Sequence, residues 1–368
     1  PTETPTPTPT DFPTATVTPT PVVGDVACPA DGCNVTGLAH PKQLAYHSGQ
    51  NAVYITSNGS DELFKLDADS NEVLVRVPTG DGPWPLVIDE ARNRIYVANY
   101  TSGDVWIYDA TTLQVIHTIT IGSGATGMAF LPALDAVAVA IHSSGNVAII
   151  QNMTLVDTLS STGGGPFGIT AVTDHNLFVV VNRDSGNARV LYHDATRWRN
   201  DGPSITPGPG MDRVVPFNAV YQSTGRRLYI QYVVADGRWF VDAYRMSDVD
   251  RFYITREAQI QVGNSGASSD AQVGGMGIAA NAVTSRVFVA NNFDGTVSII
   301  NSETNRVFAT LPMGTDPFGL AVDTVHSRLF AALRNVNRFY KLTLLAAAAA
   351  EDGGSATTEI FLPSITTR

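Results

Sequence analysis

Residues 286–301 read Arg286-Val-Phe-Val-Ala-Asn291, a short polar linker, and then Gly295-Thr-Val-Ser-Ile-Ile-Asn301. Each run is rich in β-branched or aromatic residues, and the Asn, Asp and Gly residues between them favour a tight turn. The same pattern stands at Arg94-Ile-Tyr-Val-Ala-Asn99 and Gly103-Asp-Val-Trp-Ile-Tyr-Asp109. The stretch therefore predicts a pair of antiparallel strands that the chain uses more than once.

The strand pattern recurs along the chain with a period of about 40 residues. Within residues 84–125, four strand-like runs follow one another. Short strands at a fixed period indicate radial β repetition. We therefore predict an all-β, seven-bladed β-propeller with four-stranded antiparallel blades, in which the fifth unit, residues 217–274, departs most from the pattern. The small-apolar strands that open the units begin at Pro41, Pro85, Gly127, Gly168, Phe217, Gly277 and Gly319.

The seventh unit, residues 318–345, contains three strand-like runs and lacks an outer one. A ring of blades has to close, because an open sheet edge exposes unpaired backbone groups. Two terminal segments are candidates for the missing strand, and either could close its own ring or be donated to a neighbouring copy. Their central residues are Val22 and Val23 near the N-terminus and Ile360, Phe361 and Leu362 near the C-terminus.

The repeats divide the chain into three regions. Residues 1–27 form a Pro/Thr-rich stalk or arm, residues 28–345 the propeller, and residues 346–368 a linker with the C-terminal strand. Alternating Pro and Thr cannot bury a core and favour an extended polyproline II conformation. Such tracts are typical of O-glycosylated stalks on exported proteins, and an arm that packs on a neighbouring subunit is the alternative. The candidate O-glycosylation sites are Thr6, Thr8, Thr10, Thr18 and Thr20.

The composition excludes several classes of function. The formal net charge is -11 and no basic patch occurs, which argues against a nucleic-acid partner. No run of 18 apolar residues exists, so the sequence predicts no transmembrane segment. The two cysteines, Cys28 and Cys33, flank a short Pro-Ala-Asp-Gly loop, which favours a disulfide over free thiols in an exported protein. The expected location is the cell surface or the extracellular space of a prokaryote.

Four Asn-x-Ser/Thr sequons add candidate N-glycosylation sites, which matter only in a host with the required enzymes. Together with the Pro/Thr stalk, they indicate a glycoprotein and make glycans one expected class of partner. The four residues are Asn34, Asn58, Asn99 and Asn152.

The repeats resemble those of the YVTN family of β-propellers. The resemblance is carried by Phe288-Val-Ala-Asn291, the following run to Asn301, Thr304-Asn-Arg-Val307 and Met313-Gly-Thr-Asp-Pro-Phe-Gly-Leu-Ala321. It extends over residues 37–345. The resemblance implies a propeller fold. Because relatives occur as surface-layer and cell-surface proteins, it also implies a surface location, but no particular activity.

No catalytic, cofactor-binding or metal-binding motif stands out in the sequence. The seven histidines are scattered, and none forms a helical His pair or a haem-attachment motif. Asn and Asp residues recur at strand ends, where such residues usually cap turns. The alternative is a ring of channel ligands or a calcium site, for which Glu62 and Glu90 are the nearest glutamates. The recurring residues are Asn99, Asn182, Asn291, Asp67, Asp89, Asp109, Asp194 and Asp323.

The sequence favours a non-enzymatic structural or interaction protein without a cofactor. Its expected partners are copies of itself, joined through a terminal strand or arm into a filament or layer, or other surface proteins. A propeller that binds a carbohydrate or small ligand at its channel mouth is the alternative, and a metal-dependent lactonase or hydrolase is a third. Assembly predicts large subunit contacts, whereas ligand binding predicts polar residues that converge at one channel end. The enzyme would additionally require a divalent ion.

Overall fold

A computed structural model describes residues 33–159, 163–263 and 277–343. These residues form 29 strands in seven separate sheets, and their helix is limited to three single 3₁₀ turns. Each innermost strand packs against the innermost strands of both neighbouring blades, so the sheets surround a central channel. The prediction of a seven-bladed propeller with four-stranded antiparallel blades is confirmed. The 3₁₀ turns are Ser48–Gln50, Pro132–Leu134 and Thr173–His175.

The blades follow one another in the chain, and within blades one to three every strand pairs with the next. A short strand, β1 (Cys33–Asn34), precedes them. From the channel outward, blade one consists of β2 (Pro41–His47), β3 (Ala52–Ser57), β4 (Glu62–Asp67) and β5 (Val73–Pro78). Blade two consists of β6 (Pro83–Asp89), β7 (Arg94–Asn99), β8 (Asp104–Asp109) and β9 (Val115–Thr120). Blade three consists of β10 (Ala125–Leu131), β11 (Ala136–Ile141), β12 (Asn146–Gln151) and β13 (Thr154–Leu159).

Blade four consists of β14 (Pro166–Val172), β15 (Leu177–Asn182), β16 (Asn187–His193), β17 (Trp198–Arg199) and β18 (Ser204–Ile205). Both β17 and β18 pair with β16, so two short strands replace its outer strand. The fifth unit forms a complete blade, with β19 (Val215–Gln222), β20 (Arg227–Val233), β21 (Trp239–Met246) and β22 (Ile254–Gly263). Blades six and seven add β23 (Ile278–Asn281), β24 (Arg286–Asn291), β25 (Thr296–Asn301), β26 (Arg306–Pro312), β27 (Pro317–Asp323), β28 (Arg328–Leu333) and β29 (Arg338–Thr343).

Side chains that alternate between the two faces of each strand fill the spaces between the blades. In β8, Val105 and Ile107 belong to the core shared with blade three, where they pack in one cluster with Val139. The residues Trp106 and Tyr108 belong to the core shared with blade one. Successive side chains of a strand point to opposite faces, so each middle strand is buried on both sides by the neighbouring blades. The hydrophobic core is therefore divided into layers that lie between blades.

Blade seven receives its fourth strand from the N-terminal side of the chain. The strand β1 pairs antiparallel with the outer edge of β29 at Phe339 and Arg338. Val35 and Leu38, which follow β1, are buried between blades seven and one. The Pro/Thr arm and the disulfide partner Cys28 lie outside the described residues, so the disulfide stays a prediction. The predicted closing residues also lie outside the described residues. They are Val22, Val23, Ile360, Phe361 and Leu362.

A buried arginine joins the two blades at this closure, which we call the seam. Arg328, at the start of β28, is 5% exposed, and its Nε donates to Asp323 Oδ2 at 2.7 Å. Its Nη1 donates to the carbonyl of Ala68 at 2.9 Å and its Nη2 to Asn51 Oδ1 at 2.6 Å, both in blade one. Lys341 of β29 donates to the same Ala68 carbonyl at 3.2 Å. Charge-assisted hydrogen bonds from blade seven therefore span the seam.

Glycines allow the innermost strands to approach closely at one end of the channel. A Cβ on Gly168 would lie 2.5 Å from the carbonyl oxygen of Phe217 in the next blade. Gly319 faces the carbonyl oxygen of Lys42 in the same way, across the seam. No real Cβ tolerates such contacts, so this spacing of the inner backbones requires residues without a side chain.

We expect Gly319→Ala to lower the free energy of unfolding by about 2 kcal/mol, because the new Cβ would overlap the Lys42 carbonyl oxygen. Urea denaturation followed by circular dichroism measures this change. Gly49→Ala is the matched control, since its Cβ would lie 3.5 Å from the nearest atom of His47, and we expect less than about 0.5 kcal/mol. Equal stability of Gly319→Ala and the wild type would contradict the close approach of the inner backbones.

We expect Arg328→Met to destabilise the propeller by about 3 kcal/mol, because it leaves the fully buried carboxylate of Asp323 without its guanidinium. The measurement is again equilibrium denaturation. Arg226→Met provides the control, since its ion pair with Asp248 is exposed at both ends and contributes less than about 1 kcal/mol. If both variants lost the same small amount, the seam would not depend on the arginine.

Candidate functional site

One face of the propeller, which we call the front face, carries the loops that lead into the innermost strands. In six blades the innermost strand has a β-bulge near its start, where its register with the next strand shifts. A bulge re-aims the side chain at its position. The equivalent residues surround the front end of the channel, which we call the front mouth. They are Lys42, Trp84, Thr126, Phe167, Phe217 and Phe318.

Aromatic rings form the floor of the front mouth. The ring centroid of Trp84 lies 6.2 Å from that of Phe167 in blade four and 6.1 Å from that of Phe318 in blade seven. Phe167 in turn meets Phe217 edge to face at 5.8 Å. Tyr100, which is partly exposed, lies 5.5 Å from Trp84. Because Trp84 reaches blades on both sides, these contacts fix the rings as one apolar surface.

A lysine lies on this aromatic floor. Its Nζ is 4.3 Å from the ring centroid of Trp84 and 5.0 Å from that of Phe318. Burial lowers the pKa of Lys42 to about 8, the charge of Arg334 acts in the same direction, and Asp316 opposes both. The amine makes no hydrogen bond to the part of the chain that the structure describes. Lys42 is therefore a cation held by ring faces rather than by an acceptor.

Two further donors in the front mouth lack an acceptor among the described residues. They are the indole Nε1 of Trp84 and the guanidinium Nε of Arg183, both of which are buried. The guanidinium carbon of Arg183 lies 5.6 Å from the ring centroid of Phe167 and 5.5 Å from that of Phe217. Buried polar groups are usually hydrogen-bonded, so these two donors are open to an acceptor that the described residues do not provide.

The carboxylate that faces Lys42 is already paired. Asp316 accepts a hydrogen bond from Arg334 Nε at 2.7 Å and another from Asn292 Nδ2 at 3.1 Å. Beside blade four, the exposed Asp184 lies 3.7 Å from His142 Nε2. The front mouth is therefore a cationic patch on aromatic rings, in a protein whose formal net charge is -11.

Behind the aromatic floor lies a channel of about 440 Å³. In blades one and two its lining begins at Gln43 and Pro85, directly after Lys42 and Trp84. The floor therefore lies between the channel and the front face. Most of the residues that line the channel are apolar, although polar and apolar atoms share its surface about equally. At the opposite or back face, where the innermost strands end, the lining reaches Glu90.

The recurring Asn and Asp residues cap turns rather than line the channel. Asn99 is fully buried, and its Nδ2 donates to Asp104 Oδ1 at 2.8 Å across a turn. Asp109 Oδ1 accepts from the backbone nitrogens of Thr111 and Thr112. Burial alone would raise the pKa of Asp109, but these hydrogen bonds outweigh it and lower the pKa. Comparable turn contacts are made by Asp67, Asp89, Asp194, Asp323, Asn182 and Asn291.

The two glutamates considered for a calcium site do not converge. Glu62 begins β4 on the front face, whereas Glu90 follows β6 on the back face. Across residues 33–159, 163–263 and 277–343, no three His, Cys, Asp or Glu side chains are grouped so that they could hold a metal ion. The same ranges include no helix that is long and apolar enough to cross a membrane.

The sequons differ in their accessibility. Asn34 and Asn152 are exposed, and Asn58 is half-buried. Asn99 has no exposed surface and its amide nitrogen is hydrogen-bonded, which argues against a glycan at this residue in the folded propeller. The candidate threonines of the stalk lie outside the described residues.

The outer strands of blades two and three expose an apolar edge. Val115 and Ile116 of β9 are 46% and 45% exposed, and Leu155 and Val156 of β13 are 37% and 49% exposed. Asp157 is the one charged residue within these two strands. Each strand ends its sheet, so a row of backbone N–H and C=O groups faces outward beside these side chains.

Sequence reasoning did not single out the front mouth. Each of its residues reads individually as an ordinary core aromatic or surface lysine. The available signal is their shared position, one residue before a Gly, Gln, Pro or Asn at the start of each unit. An alignment of the units by that position brings Lys42, Trp84, Phe167, Phe217 and Phe318 into one column.

No protein-family model and no curated protein sequence matches this chain. Solved β-propellers do match it in structure. A hydrazine synthase chain from Kuenenia stuttgartiensis has a TM-score of 0.67 at 15% identity, over 84% of this chain and 97% of that chain. The Cps50 (Swd1) propeller domain from Myceliophteria thermophila has a TM-score of 0.69 at 11% identity, over 85% and 99%. The WD40 repeats of RRP9 have a TM-score of 0.65 at 14% identity, over 84% and 92%.

Identities at this level show a common fold and decide nothing about activity. The three similar structures establish that the chain shares its architecture with WD40-type and other propellers. The resemblance to the YVTN family and to surface-layer proteins stays a prediction.

We expect the stability of wild type relative to Lys42→Met to increase by about 2 kcal/mol from pH 7 to pH 10. The unfolded chain protonates this lysine up to its ordinary pKa of 10.5, whereas the folded chain releases the proton at about 8. Between those values the unfolded state binds more protons, so folding of the wild type becomes more favourable as the pH rises. Met cannot titrate and serves as the reference in urea denaturation at both pH values. A constant or decreasing difference would contradict the lowered pKa.

Proposed function

We propose that the protein is a non-enzymatic interaction scaffold that works outside the cell and associates with copies of itself. The propeller fold supports a scaffold, because a closed ring of sheets presents a rigid rim and two faces. The observation that carries self-association is the outer edge formed by β9 and β13, which exposes four large apolar side chains and includes one charged residue, Asp157. Proteins that stay monomeric usually protect such edges with charges, bulges or short strands. Here that protection is limited to Asp157 and to one bulge in each strand, at Ile116 and Val156.

The occupant that we propose for this edge is a strand from a second copy. Residues 344–368 follow the last described strand, and they include the run Thr358-Glu-Ile-Phe-Leu-Pro-Ser364, whose composition suits an added strand. Because β1 provides the fourth strand of blade seven, the seam does not require this C-terminal run. Strand addition from one ring to the next would produce a filament or layer.

The extracellular location rests on the sequence. A Pro/Thr stalk, two closely spaced cysteines and a resemblance to surface propellers support export. The exposed Asn34 and Asn152 are the sequons at which a glycan would fit the folded propeller.

A second function, the binding of a ligand at the front mouth, is favoured by a different observation. Lys42, the Trp84 indole and Arg183 present donors on an aromatic floor, and the described residues provide no acceptor for them. The front mouth and the outer edge are separate surfaces, so one chain can carry both functions.

We expect the full-length protein to sediment as oligomers whose size increases with concentration, and Ile116→Lys/Val156→Lys to shift the midpoint of association at least about tenfold upward. Charges on an edge strand oppose strand addition, and analytical ultracentrifugation measures the shift. Deletion of residues 344–368 should have the same effect, because it removes the proposed donor.

Thr255→Lys is the control, since it places a lysine on another exposed outer strand, that of blade five. It should leave association unchanged. A wild-type protein that stays monomeric at all concentrations would overturn self-association. Equal behaviour of the edge variant and the control would overturn the choice of β9 and β13.

A further inference from the structure

We propose that the front mouth binds a carboxylate at Arg183, with an apolar or aromatic group of the same ligand on the floor formed by Trp84, Phe167 and Phe217. Lys42 and the Trp84 indole N–H complete the site. The proposal concerns a surface other than the outer edge of β9 and β13, so its failure would leave self-association untouched.

Blade seven provides the internal comparison that identifies the ligand. Arg334 follows β28 directly, and its guanidinium carbon lies 4.4 Å from the ring centroid of Phe318. The same guanidinium holds the carboxylate of Asp316 through Nε at 2.7 Å and Nη2 at 3.2 Å. One bulge aromatic, one arginine and one carboxylate therefore form a complete unit in blade seven.

Blade four repeats this unit without its carboxylate. Arg183 follows β15 directly and lies over Phe167, as Arg334 lies over Phe318. In the sequence Gly165-Pro-Phe-Gly168, however, a glycine stands where blade seven has Asp316 in Asp316-Pro-Phe-Gly319. The Nε of Arg183 is accordingly buried, with no acceptor in the part of the chain that the structure describes. A Cβ on Gly165 would lie 2.5 Å from Cγ of the exposed Asp184, so this side chain lies where the side chain of Asp316 begins in blade seven. A carboxylate from outside the chain would therefore meet Arg183 beside Asp184 rather than in that position.

The nearby groups favour a carboxylate on an apolar carrier. Lys42 Nζ and Trp84 Nε1 are donors that cannot accept, so they select an acceptor ligand. The adjacent Asp184 does not serve Arg183, because its carboxylate lies toward His142 Nε2 at 3.7 Å. The ring faces would cover an apolar group that adjoins the carboxylate, whereas a phosphate would lose more hydration on this floor.

The backbone has the same conformation at this position in blades four and seven. Gly165 has φ +60° and Asp316 has φ +57°, so the two positions share one left-handed conformation. Asp adopts this conformation more readily than most residues. The double substitution Gly165→Asp/Asp184→Asn therefore copies the residues of blade seven, where Asn335 follows Arg334. The new Cβ would overlap the present position of the side chain at residue 184, which is exposed and has to rotate away. The folded variant would then supply Arg183 with an internal carboxylate.

The test uses the full-length chain and isothermal titration with two matched pairs of probes. Benzoate is compared with benzamide, and the peptide acetyl-Phe-Glu-Phe-amide with its Gln counterpart. We expect the carboxylate probes to bind at least about tenfold more tightly than the neutral ones, since charge-assisted bonds to Arg are strong. Gly165→Asp/Asp184→Asn should weaken binding of the carboxylate probes at least about tenfold, and Asp184→Asn alone should not. Arg183→Gln, which needs no new backbone contact, should reproduce the loss.

Two readouts identify the source of the carboxylate. Tighter binding of the Glu peptide than of benzoate indicates an acidic side chain of a protein partner, and equal binding indicates a free carboxylate. Lys42→Met should weaken both several-fold, and Lys42→Arg should restore them. Equal binding of charged and neutral probes, no binding of either carboxylate, or unchanged affinity in Gly165→Asp/Asp184→Asn and Arg183→Gln would overturn the proposal.

Discussion

The structure depends on closure of the ring at the seam between blades seven and one. The sheets share no strands, so neighbouring blades are held by side-chain packing and by the chain that crosses between them. At the seam this crossing is made by the segment from β1 to β2, and β1 is fixed by only two residue pairs with β29. Arg328 adds its charge-assisted bonds at this junction, where the backbone contributes least.

The chain has three lysines, and two of them form hydrogen bonds between neighbouring blades. Lys341 donates to the carbonyl of Ala68 in the next blade, and Lys65 donates to the carbonyl of Ala110 in the blade after its own, at 3.1 Å. Lys341 therefore links blade seven to blade one, and Lys65 links blade one to blade two. Lys42 is the exception, because its amine has ring faces but no acceptor. Among the described residues, the amine of Lys42 in blade one contacts blades two and seven only through these rings, so it is open to an acceptor from a ligand.

The strands and the number of blades could be predicted because their signals are local. Alternation, turn residues and a fixed period are properties of neighbouring residues, and they survive even in the divergent fifth unit. The strand β1 could not be found this way, since two residues carry no period and their partner lies some 300 positions away in Phe339. The front mouth was missed because Trp84, Phe167 and Phe318 meet only when the ring has closed.

Repetition of the blades makes departures from the repeat informative. The bulge, the left-handed residue two positions before it and the arginine after the second strand recur in blades four and seven with the same backbone. The backbone at that position is therefore compatible with glycine or aspartate, although in blade four the side chain of Asp184 lies where a Cβ of residue 165 would stand. When the backbone imposes no choice, the choice of side chain is free to serve binding. In blade seven, Arg334 pairs with Asp316. In blade four, the Nε of Arg183 has no acceptor among the described residues, on the face where the aromatic rings converge.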